Sequence, residues 1–400
     1  MLLSNDTGVG VSPTGPTGLR DVRLDFFRGL ALLCIFIDHT PGNILGFVTA
    51  RAYGLSDAAE MFVLIAGYTA VLAYSRIFER EGMLRGAGRI RRRMRDLYAA
   101  HLLLTVVCAI LLAVAAQWFE NPLYYEHVNL TPYAYDPLGA IWRTLALYYQ
   151  LGYLNILPLY IVLLAWFPLL WWLMQRHLGL ALAASAILWL SANVLGANLP
   201  SWPELYGWYF NPFAWQLLFS LGAIAAVHTQ RGGTLPRMPW LVALAGAYAI
   251  FGFIVAAPWI HIDGLEGTRL IHPDSLGPNS KSRLSLWRLA HVLSLAYLVA
   301  LTVPATARWL RAPAAQVLIN CGRNSLDVFC VGTVLSFVGF VVMLEGGRTF
   351  EYQLAVNGLG FALMGSAAWW LSQRKGRLAA TAGQSVVAQP SVRSEETGTR

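Results

Sequence analysis

Apolar runs near 20 residues recur from one end of this chain to the other, and they constrain its fold more than any other feature. A helix rising 1.5 Å per residue needs roughly 20 apolar residues to cross the ~30 Å hydrocarbon core of a bilayer. Ten such segments are expected, at 28–48, 57–77, 97–117, 155–174, 179–197, 212–229, 239–258, 287–307, 317–344 and 353–372. Only 12% of the residues are charged and 56% are hydrophobic, with a mean hydropathy of +0.51. A soluble domain carries about twice that charged share. The expected fold class is therefore all-α, a polytopic membrane protein of about ten transmembrane helices.

Basic residues set the orientation. With the N-terminus inside, 21 of the 29 Lys and Arg fall in cytoplasmic segments. Outside lie Arg51, Arg143, Arg269, Lys281, Arg283, Arg288 and Arg348, and Arg323 stands apart. Both termini are then cytoplasmic. The expected division is a flexible N-terminal segment at 1–19, a membrane domain at 20–372 and a disordered cytoplasmic tail at 373–400. Residues 1–19 show no cleavable signal pattern, so the first spanning helix is expected to act as the targeting signal. The outer connections at 118–154 and 259–286 are long enough to cover a site that opens outward.

The net charge of +8 does not point to nucleic acid, because the basic residues sit in short loops rather than along a basic stripe. Cys34, Cys108, Cys321 and Cys330 lie in or beside apolar segments, in neither a disulfide framework nor a zinc spacing. His101, His177, His228 and His291 are isolated, so no metal site is expected. The cluster "RIRRRMR" at 89–95 reads as topogenic charge on the inner leaflet. No P-loop, G-x-G-x-x-G or G-x-S-x-G pattern is present.

Ionisable residues inside the membrane are costly and point to function. The stretch "FIDHTPGN", residues 36–43, follows "GLALLCIFI" and places Asp38 and His39 in the first span. His39 lies eleven residues after Arg28, roughly 16 Å deeper, close to the midplane and within about 20° of the same helix face. Pro41 and Gly42 predict a broken helix there. Backbone of that kind survives at membrane depth only against protein or a water-filled cavity. A helix that simply ends early, with a hydrogen-bonded core His39, is the bland alternative.

Asp57 and Glu60 open the second span. They fit a capping box, and equally a carboxylate that orients an imidazole. In "NCGRNSLDVFC", Arg323 and Asp327 are four apart and can pair. Alternatively Gly322 ends one helix and Asn324 or Ser325 caps the next, whose N-terminus with Arg323 makes an anion site. A buried histidine beside an acid suits general-base work on a hydroxyl. Inner arginines suit a phosphorylated ligand, and outer aromatic loops suit a sugar. These features suggest group transfer across the membrane. A proton-coupled transporter or flippase, with Asp38–His39 as relay, is the rival class.

The segments "RLDFFRGLALLCIFIDHTPGN", "SDAAEMFVLIAGYTA", "LNILPLYIVLL", "NPFAWQLLFSLG" and "GRNSLDVFC" resemble the OpgC family over about residues 20–372. The resemblance implies a ten-helix inner-membrane enzyme of the acyltransferase-3-like superfamily. Its expected reaction adds succinyl groups from cytoplasmic acyl-CoA to hydroxyls of a periplasmic glucan. Acyl-CoA is thus a co-substrate with no cofactor bound, the bilayer and the glucan are partners, and homo-oligomer formation stays open. The resemblance makes His39 the catalytic residue, with Asp38 and Glu60 as the acids expected beside it. It sets Arg28-Gly29 near the donor, with Arg23, Arg323, Asn324 and Ser325. Asp57, Asn211, Trp215 and Gln216, all within the matching segments, are placed on the acceptor side. Many superfamily members carry a histidine beyond the "GRNSL" segment, but "FCVGTVLS" has none.

Overall fold

The computed structural model describes residues 21–203, 206–261, 264–265 and 267–387. The expected flexible segment at 1–19 lies outside them, as do residues 388–400 of the expected tail. The described residues are helical, with no strand among them.

Helix α1 (Val22–Asp38) begins six residues before the expected start. Asp21 caps it by accepting from the Arg23 N–H, so Arg28 sits about 9 Å inside the helix rather than at its lip. It ends where Pro41 and Gly42 predict, and the expected helix over 28–48 is cut at Asp38. His39 is its C-cap, Gly42 takes a left-handed φ of 78°, and only short 3-10 turns follow at Ile44–Val48 and Ala50–Ala52.

The chain returns through α2 (Ala58–Glu81) and rises again in α3 (Met83–Trp118). The basic cluster at 89–95 is therefore helical and not a loop. Arg and Met are good helix formers, and Gly82, at φ 86°, separates the two helices. Three short helices, α4 (Leu123–Glu126), α5 (Pro132–Tyr135) and α6 (Pro137–Leu145), fill the 118–154 connection. Then come α7 (Ile156–Arg176), α8 (Leu178–Val194), α9 (Pro212–Gln230), α10 (Pro239–Ala256) and α11 (Leu286–Thr302). The expected segment at 317–344 is two helices, α12 (Pro313–Arg323) and α13 (Ser325–Glu345), broken at Asn324. Finally α14 (Phe350–Val387) continues past 372, so residues 373–387 are helical and not the expected disordered tail.

Among the described residues, seven helices are long and apolar enough to cross a membrane: α2, α3, α7, α9, α10, α13 and α14. Helices α1, α8 and α11 have 17 residues each. The all-α arrangement is that of a multi-pass membrane protein.

Two helix pairs position the site. Helix α2 lies along α9, and α1 lies along α12. The α1–α12 approach depends on glycine on both sides. A Cβ on Gly29 would stand 1.9 Å from the Leu318 carbonyl oxygen, and one on Gly322 would stand 1.8 Å from that of Asp25. Both obstacles are backbone, so α12 would have to move as a unit. Gly29→Ala is expected to cost at least about 1–3 kcal/mol and to displace Ser325 from Arg28. Thermal unfolding of the purified variant checks this, and an unchanged midpoint would contradict it.

The break after α1 is closed by α14. The Asn43 and Asn357 side chains exchange hydrogen bonds, Nδ2 to Oδ1, at 2.8 and 2.9 Å. Gln353 Oε1 accepts from the Ile44 N–H at 2.7 Å. Thr40 Oγ1 donates back to the Phe36 carbonyl at 2.9 Å. The polar groups freed by the break thus find protein partners, as lipid depth demands.

Candidate functional site

Arg28 is buried and its Nη2 donates to Ser325 Oγ at 3.1 Å. Its guanidinium lies 5.7 Å from the centre of the Phe62 ring. These groups border a small cavity of about 20 Å³ between α1, α2, α3, α7 and α13. Arg28, Arg93 and Ser325 border it beside Ile35, Phe62, Leu97, Phe329 and the Ile156–Leu157 pair, and nearly all of the surface open to it is apolar. Arg28 and Ile35 are seven residues, about two turns, apart on one face of α1. Ile35 stands one turn short of His39, so the cavity runs from two arginines to within about 6 Å of the level of the imidazole.

His39 Nδ1 is buried and makes no hydrogen bond. Its ring lies 4.7 Å from that of Tyr153. Neither acid expected beside it is bonded to it. Asp38 Oδ1 accepts from Thr49 Oγ1 at 2.8 Å and faces Arg51 Nε at 3.3 Å. Glu60 is fully buried, with Oε2 on the Asp57 N–H at 2.9 Å and Oε1 on Arg288 Nε at 2.6 Å. Asp57 completes the capping box and holds Lys281 at 2.5 Å and Arg288 at 3.1 Å. Two carboxylates and two cations therefore neutralise one another, tying α11 and the segment before it to the start of α2.

Of the residues expected at the donor, Arg28 and Ser325 meet at the cavity and the others are engaged elsewhere. Arg23 pairs with Asp21 at 2.7 Å and donates to the Val303 carbonyl at 2.7 Å, fastening the start of α1 to the end of α11. Arg323 pairs with Asp25 at 3.5 Å instead of with Asp327, which faces Lys375 at 3.9 Å. Asn324 does not cap α13 with its side chain. Its Nδ2 reaches Ala368 O and Ser372 Oγ, and its Oδ1 accepts from Lys375 at 2.7 Å.

The residues placed on the acceptor side serve the scaffold. Asn211 caps α9 and donates to the Ala197 carbonyl. Trp215 is fully buried and donates to the carbonyls of Lys281 and Ser282. Gln216 donates to Ser185 O and Phe213 O. Their donors are spent on holding the 279–285 segment and α8. Asp57 is spent on its two cations.

Arg93 lines the cavity, which a reading of "RIRRRMR" as bulk charge misses. The signal was helical spacing: Ile90 and Leu97 are buried on the same side of α3, and Arg93 falls between them. Tyr153 and Arg288 carried no local signal.

A family model described as OpgC protein matches residues 20–376. The chain belongs to the OpgC family. No curated protein and no solved structure is matched by it. OpgC membership implies a transferase role, and the match covers every element that lines the cavity.

Proposed function

We propose that this OpgC chain is a membrane O-acyltransferase that moves a succinyl group from cytoplasmic acyl-CoA to a hydroxyl of a periplasmic glucan, in the inner membrane. The observation that carries this reading is the cavity, which links Arg28 and Arg93 to the last turn before His39. Two arginines suit the phosphates of CoA. The apolar lining suits its pantetheine arm, which must widen the cavity of about 20 Å³ as it enters. The arm's thioester then arrives beneath an imidazole.

In this reading His39 takes the proton of the glucan hydroxyl as that oxygen attacks the thioester carbonyl. The tetrahedral adduct collapses, the C–S bond breaks, and the imidazolium returns the proton to the CoA thiolate. An acyl-His39 intermediate is the two-step version of the same transfer. The amide exchange between Asn43 and Asn357 pins the broken helix in place, which fits a fixed reaction site better than the moving gate of a transporter.

Purified protein given succinyl-CoA and glucan is expected to release CoA and succinylate the glucan. Glucan uptake into vesicles without CoA release would favour transport. Arg93→Ala and Arg28→Ala are each expected to weaken CoA binding by about tenfold or more, the worth of one charged hydrogen bond. Calorimetry with CoA reads this, and unchanged affinity in both would remove the donor site from this cavity.

A further inference from the structure

We propose that Tyr153 and His127 form the floor on which the acceptor's sugar ring rests beside His39. The inference rests on the acyl-transfer reading above and assigns its acceptor subsite.

The connection at 118–154 returns to α7 along its own start. Gly152 N–H donates to the Val128 carbonyl at 2.9 Å, so residues 127–128 and 152–153 lie side by side. Tyr153 Oη and His127 Nε2 are hydrogen-bonded at 3.0 Å. The two rings lie 5.6 Å apart at 34°, and the Tyr153 ring also lies 4.7 Å from that of His39. Behind them stand Phe337, 6.1 Å from Tyr153, and Phe340, 4.6 Å from His127. Phe337 and Phe340 are closed off at 1% and 5% exposure, whereas His127 is exposed and Tyr153 and His39 are half-buried. The rings therefore form a wall that is sealed behind and open in front.

Tyr153 holds a φ of 66°, a left-handed conformation that non-glycine residues rarely adopt. Such a conformation costs about 1–3 kcal/mol and concentrates at functional sites. It brings the phenol against His39, while Ile156, three residues later, lines the donor cavity. One turn of chain thus borders both halves of the reaction. The donor cavity approaches His39 from the Arg28 end of α1, and the aromatic wall meets it from the other.

The ligand class follows from the surface. Flat, uncharged rings with an imidazole and a phenol at their edge take the C–H face of a neutral pyranose and hydrogen-bond its hydroxyls. Held there, a sugar hydroxyl lies beside the His39 ring.

The test uses the full-length protein in nanodiscs, with succinyl-CoA and a linear β-glucan oligosaccharide. Tyr153→Ala is expected to raise KM for the glucan by about tenfold, as loss of an aromatic platform would, and to leave KM for succinyl-CoA unchanged. Tyr153→Phe keeps the ring and is expected to restore most of the glucan affinity. His127→Ala is expected to fall between them. Should Tyr153→Ala not fold, Tyr153→Leu and His127→Ala carry the test. An unchanged glucan KM in an active protein overturns this inference alone, as does a parallel rise in both KM values or a fall in kcat only. A wild-type protein that releases no CoA overturns the acyl-transfer reading and this inference with it.

Discussion

His39→Ala is expected to lower succinyl transfer by about 10²–10⁴-fold, the usual worth of a positioned general base, while leaving the protein folded. The ring is half-buried and its Nδ1 bonds nothing, so alanine removes no hydrogen bond from the fold. CoA affinity should persist, because the arginine end of the cavity lies three turns away along α1. Asp38→Asn supplies the contrast. Its Oδ1 takes the Thr49 hydroxyl and faces Arg51, so the effect on rate should be far smaller than that of His39→Ala. Equal losses would mean that Asp38 acts on the imidazole. Acid quenching of a reaction with labelled succinyl-CoA separates the chemical routes. Label retained on a His39 peptide supports the two-step version, and label absent at every time point supports direct attack. Wild-type transfer rates in His39→Ala would sink both.

What could be read from the sequence was local. Pro41 and Gly42 announce the end of α1 because each acts on its own backbone. Asp57 and Glu60 announce the start of α2 because a capping box is complete within four residues. The break at Asn324 was visible as one of two readings of "GRNSL". The partners of those same residues were not visible. Glu60 is bonded to a residue 228 positions away, and Asp57 to residues 224 and 231 positions away. No spacing rule reaches that far. An acid at the third position of a helix therefore looks as available to an imidazole as to an arginine. The identity of the free acid at a site is decided by tertiary pairing. Here that pairing leaves neither Asp38 nor Glu60 on His39. Arg93 was hidden differently. It lay within a charge cluster whose bulk explanation was sufficient, and only the buried positions on either side show that one member of the cluster turns inward.

The Asp57–Glu60–Lys281–Arg288 cluster gives the largest expected effect on stability. Glu60 is fully buried and the Arg288 side chain is 12% exposed, so their charges have little water to fall back on. Arg288→Met would leave two buried carboxylates sharing Lys281. Removing one partner of such a pair costs about 3–5 kcal/mol, because the remaining charge is stranded. The double variant Glu60→Leu with Arg288→Met should recover much of that loss, since an apolar pair of similar volume avoids the stranded charge. Denaturation in SDS titrations of the wild type, the single variants and the double variant reads the cycle. Additive losses would show that the two side chains do not depend on one another. The same experiment separates stability from chemistry at Glu60. If Glu60 acts only by holding Arg288, the molecules of Glu60→Gln that remain folded should transfer succinyl at nearly the wild-type rate. If it orients His39, the rate per folded molecule should fall with little further change in stability. The 2.6 Å contact to Arg288 Nε and the bond to the Asp57 N–H commit both of its oxygens to the scaffold. The expected result is therefore a destabilised protein that keeps its catalytic rate.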